Sequence, residues 1–155
     1  MSTVPDRPAV WLPAPAITAL AILLGYGLND LWPAEVDPPP VLHALAWAHN
    51  LLGLGLILWC FLLFIQRRTT IVPNRPVKAL VLAGPYRYSR NPMYLGLALV
   101  HLGATMATGI LWYLATFILA TLATQRYVIA PEERYLQHKF GAAYRDYCLQ
   151  VPRWF

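Results

Sequence analysis

Two short stretches carry the side chains that could do chemistry in an otherwise apolar chain. The first is Gly84-Pro85-Tyr86-Arg87-Tyr88-Ser89-Arg90-Asn91-Pro92-Met93-Tyr94-Leu95-Gly96, with three tyrosines and two arginines set between Pro-containing turns. Gly and Pro mark an irregular backbone there. Arginine offers a forked donor for a carboxylate, and tyrosine offers a hydroxyl or an aromatic face for a cation. Asn91 can donate and accept hydrogen bonds but cannot titrate. The second stretch is Pro131-Glu132-Glu133-Arg134-Tyr135. Paired carboxylates can hold an amine or a ribose hydroxyl, or take a proton. Both stretches also have an ordinary reading. Tyrosines collect at the headgroup level of a membrane, and glutamates in a first helical turn complement the helix dipole. The density of the first block is what the belt reading explains least.

Other chemistries find little support. Cys60 and Cys148 form neither a CxxC pair nor a metal-type spacing and read as free thiols. The four histidines show no HxxxH or HxxH spacing, so no metal is expected. The net charge of +5 could suggest nucleic acid. However, the Lys and Arg residues lie between apolar runs, as on the cytoplasmic face of a membrane protein, and no nucleic-acid partner is expected.

The elements that must position these residues follow from composition. The 155 residues are 58% hydrophobic and 12% charged, against about 25% charged in soluble domains. A chain this short cannot enclose that much apolar surface by itself, so lipid is its expected solvent. The expected fold is an all-α, polytopic membrane helical bundle of about four transmembrane helices, the last two a helical hairpin, plus a C-terminal amphipathic helix. Residues 1–155 then form a single membrane domain, with two N-terminal spans within 10–65 and a catalytic module over 66–155. The spans are expected at Val10–Leu31 and Val41–Ile65, then Pro92–Thr108 and Ile110–Ala130, with a turn at Gly109. The third run is short for a span. Pro131 suits the first position of a new helix. Leu136, Phe140, Ala143 and Tyr147 then make one apolar stripe at helical spacing.

Within the spans, His43, His49 and His101 read as neutral side chains bonded to other helices, and Gly25, Gly27, Gly53 and Gly55 as close-contact points. Trp11, Trp32 and Trp112 sit near run ends as belt residues do. With Asp6 and a lone Arg7, the N-terminus lacks a cleavable signal pattern, so the first run is expected to stay as an anchor. The loop Asp30–Pro40 has no Lys or Arg, whereas the next connection has Arg67, Arg68, Arg75, Lys78, Arg87 and Arg90 and no acid. The positive-inside rule places that connection and both termini in the cytoplasm, and the expected location is a bacterial inner membrane.

The Gly-Pro-Tyr-Arg…Arg-Asn-Pro-Met-Tyr block, the apolar hairpin, Glu132-Glu133 and the closing Phe140-Gly141-x-x-Tyr144-x-x-Tyr147 together resemble the isoprenylcysteine carboxyl methyltransferase family. That family stands within a broader group containing the phospholipid methyltransferases. The resemblance runs from about Arg67 to Phe155 and takes in Thr69, Thr70 and Pro73. Many members have His where this chain has Asn91, which weakens any proposal of a histidine base. The resemblance implies that S-adenosylmethionine is bound at the cytoplasmic membrane face under the C-terminal segment. A lipid-like acceptor would enter from the bilayer, among membrane lipids. It also implies one wall of Tyr86, Arg87, Arg90, Asn91, Pro92 and Tyr94, and another of Glu132, Glu133, His138, Tyr144 and Tyr147.

In the mechanism these positions suggest, tyrosine faces hold the sulfonium. Glu133 or Glu132 holds the cofactor's ammonium or ribose, and Arg87 or Arg90 orients a carboxylate. The acceptor is a prenylcysteine-like carboxylate or a related small molecule. Two other readings stay open. One is a membrane reductase on a related scaffold that binds NADPH. It would have to do so without the glycine-rich dinucleotide fingerprint, which this chain lacks. The other is a non-catalytic membrane subunit that kept the fold.

Overall fold

A computed structural model describes residues 8–70 and 76–155. Asp6, Arg7, Pro73 and Arg75, invoked above for orientation and resemblance, lie outside the described residues. The described helices are α1 (Ala14–Leu31), α2 (Pro40–Gln66), α3 (Pro92–Thr108), α4 (Trp112–Thr124), α5 (Ala130–Phe140) and α6 (Ala142–Gln150). A 3₁₀ turn covers Gly84–Arg87 and a π turn covers Gln125–Ile129. Among the described residues there is no strand, only an isolated bridge between Glu35 and Ile110. Proline opens α1, α2 and α3, where its missing N–H costs no helical bond.

Among the described residues, three helices are long and apolar enough to cross a membrane: Ala14–Leu31, Pro40–Gln66 and Trp112–Phe140. Their outward leucines, among them Leu23, Leu51, Leu58, Leu119 and Leu122, are exposed. An apolar surface this continuous belongs in lipid, and the chain is an integral membrane protein. The third of the four expected runs, α3, is shorter than these three helices. α3 has 17 residues, about 25 Å of helix, against a hydrocarbon core of about 30 Å. It is bounded by Pro92 and by Gly109, whose φ of +69° turns the chain back into α4.

The expected break at Pro131 is absent. α4, the π turn and α5 form one 29-residue rod. An α-helical register would drive the Pro131 ring into the carbonyl of Tyr127. The π turn relieves this, with the Ala130 N–H donating to the Gln125 carbonyl five residues back. The real break falls at Gly141, with φ +53°, which separates α5 from α6. That kink moves the apolar stripe. Ala143 is exposed, and Leu136 and Phe140 pack instead with Tyr144, Tyr147 and Val151.

α2 packs along α3, and α1 along α4. At the first contact a Cβ added to Gly53 would lie 2.6 Å from the Gly96 carbonyl, so the two backbones touch. Gly25 makes room for Tyr113 in the same way, whereas Gly27 and Gly55 face open space and are not contact points. The histidines also depart from expectation. His49 Nδ1 meets the Leu45 carbonyl of its own helix at 2.8 Å, and His43 is exposed. His101 does reach another helix, with Nε2 3.5 Å from Thr116 Oγ1.

The bundle has two unlike ends. The Lys/Arg-free loop pairs with the hairpin turn, through Val36 N to Gly109 O and Leu111 N to Ala34 O. Trp112 Nε1 donates to the Trp32 carbonyl at the same end. The opposite end gathers the basic connection, the 3₁₀ turn, α5, α6 and the C-terminal residues.

Candidate active site

At that basic end a cavity opens between the 84–94 segment, the start of α5 and α6. Its empty volume, with the open mouth and adjoining solvent included, is about 900 Å³. Tyr86, Arg90, Asn91, Tyr94, Glu132, Glu133, Tyr144 and Tyr147 all line it. Three other expected residues stand apart. Arg87 and His138 are exposed and do not line the cavity, and Pro92 is buried as the first residue of α3. The 3₁₀ turn explains the division between Arg87 and Arg90. It carries Tyr86 inward, stacked edge-on against Phe64 with ring centres 5.8 Å apart, and leaves Arg87 outside.

The two adjacent glutamates have different partners. Glu132 accepts a hydrogen bond from Tyr94 Oη at 2.6 Å. Among the described residues no Lys or Arg pairs with it. Glu133 is gripped by Arg153, whose Nε donates to Oε1 at 3.1 Å and whose Nη2 donates to Oε2 at 2.5 Å. Arg90 Nη1 stands 3.4 Å from Glu133 Oε1 and donates to Cys148 Sγ. Arg90 Nε is buried with no hydrogen-bond partner. The helix-dipole account of the glutamate pair falls away, because the backbone before them is helical and no free N-terminus exists there.

The C-terminal residues seal this end. Pro152 O accepts from Arg90 N at 3.0 Å, and Arg153 O accepts from Ser89 Oγ at 3.1 Å and from Asn91 Nδ2 at 3.0 Å. Tyr147 Oη donates to the Tyr86 carbonyl at 2.7 Å. Burial pushes the phenols of Tyr86, Tyr144 and Tyr147 above their usual range, and Glu133 raises Tyr144 further. All three therefore stay neutral at neutral pH. The bond to Glu133 raises the Arg153 guanidinium.

Sequence reasoning missed Arg153, Cys148 and Phe64. Arg153 stands outside both chemistry-bearing stretches of the sequence. It lies twenty residues from Glu133, across the Gly141 kink, and no helical spacing links them. A second, apolar groove of about 900 Å³ runs between α1, α3 and α4 to Trp154 and Phe155. Tyr94 lines both spaces.

The donor set suits a small zwitterion that also carries a cation. A carboxylate with no Lys or Arg partner among the described residues, the arginine Arg90 and several tyrosines line one space. S-adenosylmethionine has these groups, so the residues present fit it. Among the described residues no cluster of His, Cys, Asp and Glu could hold a metal ion.

The phospholipid methyltransferase family model matches residues 41–143. A relative from Haemophilus influenzae, described only as an uncharacterized protein, is 40% identical over 62 residues, 40% of this chain and 98% of that protein. No solved structure matches the chain.

Proposed function

The chain belongs to the phospholipid methyltransferase family, and from that premise we propose that it is an integral membrane, S-adenosylmethionine-dependent methyltransferase acting on a hydrophobic or lipid-like acceptor. The observation that carries this reading is how the charged groups pair. Glu133 is taken by Arg153, which leaves Glu132 without a cation among the described residues and leaves Arg90, on the same cavity, with only a 3.4 Å contact to Glu133. When bound, S-adenosylmethionine supplies an electrophilic methyl carbon on a sulfonium. The chain supplies position and electrostatics. Arg90 holds a carboxylate, Glu132 faces an ammonium or a ribose hydroxyl, and Tyr86, Tyr144 and Tyr147 line the space around a sulfonium. The C-terminal residues keep water out.

The acceptor's apolar chain lies in the groove between α1, α3 and α4, which brings its head group to Tyr94. A carboxylate acceptor needs no base, since it is ionised at neutral pH. An amine or thiol must lose a proton, and Glu132 is then the group that takes it. Residues 66–155 make up most of the catalytic module, with α2 adding Phe64 to the cavity wall. The basic end and both termini face the cytoplasm of a bacterial inner membrane.

The test is calorimetry of detergent-purified protein with S-adenosylmethionine and with NADPH, followed by transfer of labelled methyl groups to a lipid extract. S-adenosylmethionine binding with label in the lipid fraction is the expected result. Binding of NADPH alone would move the protein to the reductase reading. Binding of neither by folded protein would leave a non-catalytic subunit.

A further inference from the structure

Arg153 touches both walls of the cavity. Its carbonyl ties down Ser89 and Asn91, and its guanidinium grips both oxygens of Glu133. Glu133 has a second suitor, since Arg90 Nη1 lies 3.4 Å from the same Oε1. A carboxylate pairs most strongly with one guanidinium through two parallel bonds, and here Arg153 occupies that arrangement. Arg90 is left with a glancing contact, a bond to Cys148 Sγ and a buried Nε that bonds to nothing.

We propose that Arg153 is a positioning residue: by occupying both oxygens of Glu133 it keeps that carboxylate from closing on Arg90, and so keeps Arg90 available to the carboxylate of the bound methyl donor. The inference rests on the donor reading given above. Without Arg153, the cation left beside Glu133 among the described residues is Arg90. The two would form the forked pair themselves, and Arg90 would no longer serve an incoming carboxylate. The peptide tie from Arg90 N to Pro152 O holds the arginine's main chain beside the same tail.

Two ligands differing in one group separate this role from simple stabilisation. Calorimetry would give Kd for S-adenosylmethionine and for its decarboxylated analogue, with the wild type, Arg153→Lys and Arg153→Ala. The wild type is expected to prefer the carboxylated ligand by roughly tenfold or more, the usual strength of a charge-assisted bond. Arg153→Ala is expected to bring that preference close to parity while leaving Kd for the decarboxylated analogue little changed. Arg153→Lys keeps the charge without the fork, should fold even if the alanine variant does not, and is expected to fall between. A purely structural role would weaken both ligands alike, and an unchanged preference in both variants, or equal weakening of the two ligands, overturns the proposal. Wild-type protein that binds neither ligand overturns the donor reading itself, and this inference with it.

Discussion

Replacing Glu132 by glutamine removes a charge while keeping the side chain's shape. The amide oxygen of glutamine can still accept the bond that Tyr94 donates at 2.6 Å. Exchanging a charged acceptor for a neutral one forfeits about 1 kcal/mol. Relief from burying a carboxylate with no cation beside it returns part of that. The fold of Glu132→Gln should therefore hold to within about 1 kcal/mol. Ligand binding should not. Opposite charges 4 Å apart attract by about 4 kcal/mol in a medium of effective dielectric 20, and desolvation offsets roughly half. The remaining ~2 kcal/mol corresponds to about thirtyfold weaker binding. Glu133→Gln should show the reverse emphasis. It breaks the two-pronged bond to Arg153 in a partly exposed setting, which costs about 2 kcal/mol of stability, between the values for surface and buried pairs. Calorimetry with S-adenosylmethionine and thermal unfolding in the same detergent separate the two effects. If Glu132→Gln binds within about threefold of wild type, the assignment of Glu132 to a cation fails.

Gly96→Ala would place a methyl 2.7 Å from the Gly53 carbonyl and from Ile57 Cγ1, and should lower stability by about 1–3 kcal/mol, visible as an earlier thermal transition. Arg87→Ala and His138→Ala remove exposed side chains outside the cavity, and donor affinity should stay at the wild-type value by calorimetry. Tyr147 is held above its ordinary value of 10.0 chiefly by burial. Below that value the phenol is protonated whether the chain is folded or unfolded, so its contribution is fully present. As pH rises past it, the unfolded chain ionises first and stability is lost. Unfolding temperatures should therefore fall as pH rises above about 10, and less steeply in Tyr147→Phe.

The bundle was legible because apolar run length and proline position act locally. The expected runs from Val10 and Val41 begin as helices at Ala14 and Pro40, beside prolines, and Gly109 turns α3 into α4 as read. The errors in the fold came where a local rule has two outcomes. Proline at 131 can start a helix or sit inside one behind a π turn, and only the surrounding helix selects the second. The Gly141 kink then rotated α6, so Tyr144 took the buried place expected for Ala143. Glycines at 25 and 53 meet a neighbouring helix while those at 27 and 55 do not, because which helix face is covered depends on partners the pattern does not name.

The sequence by itself determined that the chain lives in lipid, and it picked out the 84–96 block and Glu132-Glu133 as the stretches whose residue types could do chemistry. Those conclusions rest on residue types and short spacings, which survive any arrangement of the helices. The tertiary structure alone decided how the charges divide. It sent Arg90 inward and Arg87 outward, gave Glu132 to Tyr94, and gave Glu133 to Arg153. Two neighbouring glutamates are indistinguishable in sequence. They become different groups when the 3₁₀ turn, the unbroken α4–α5 rod and the folded-back C-terminus set which cation can reach each one, since ion pairing depends on a few ångströms of distance and not on order along the chain.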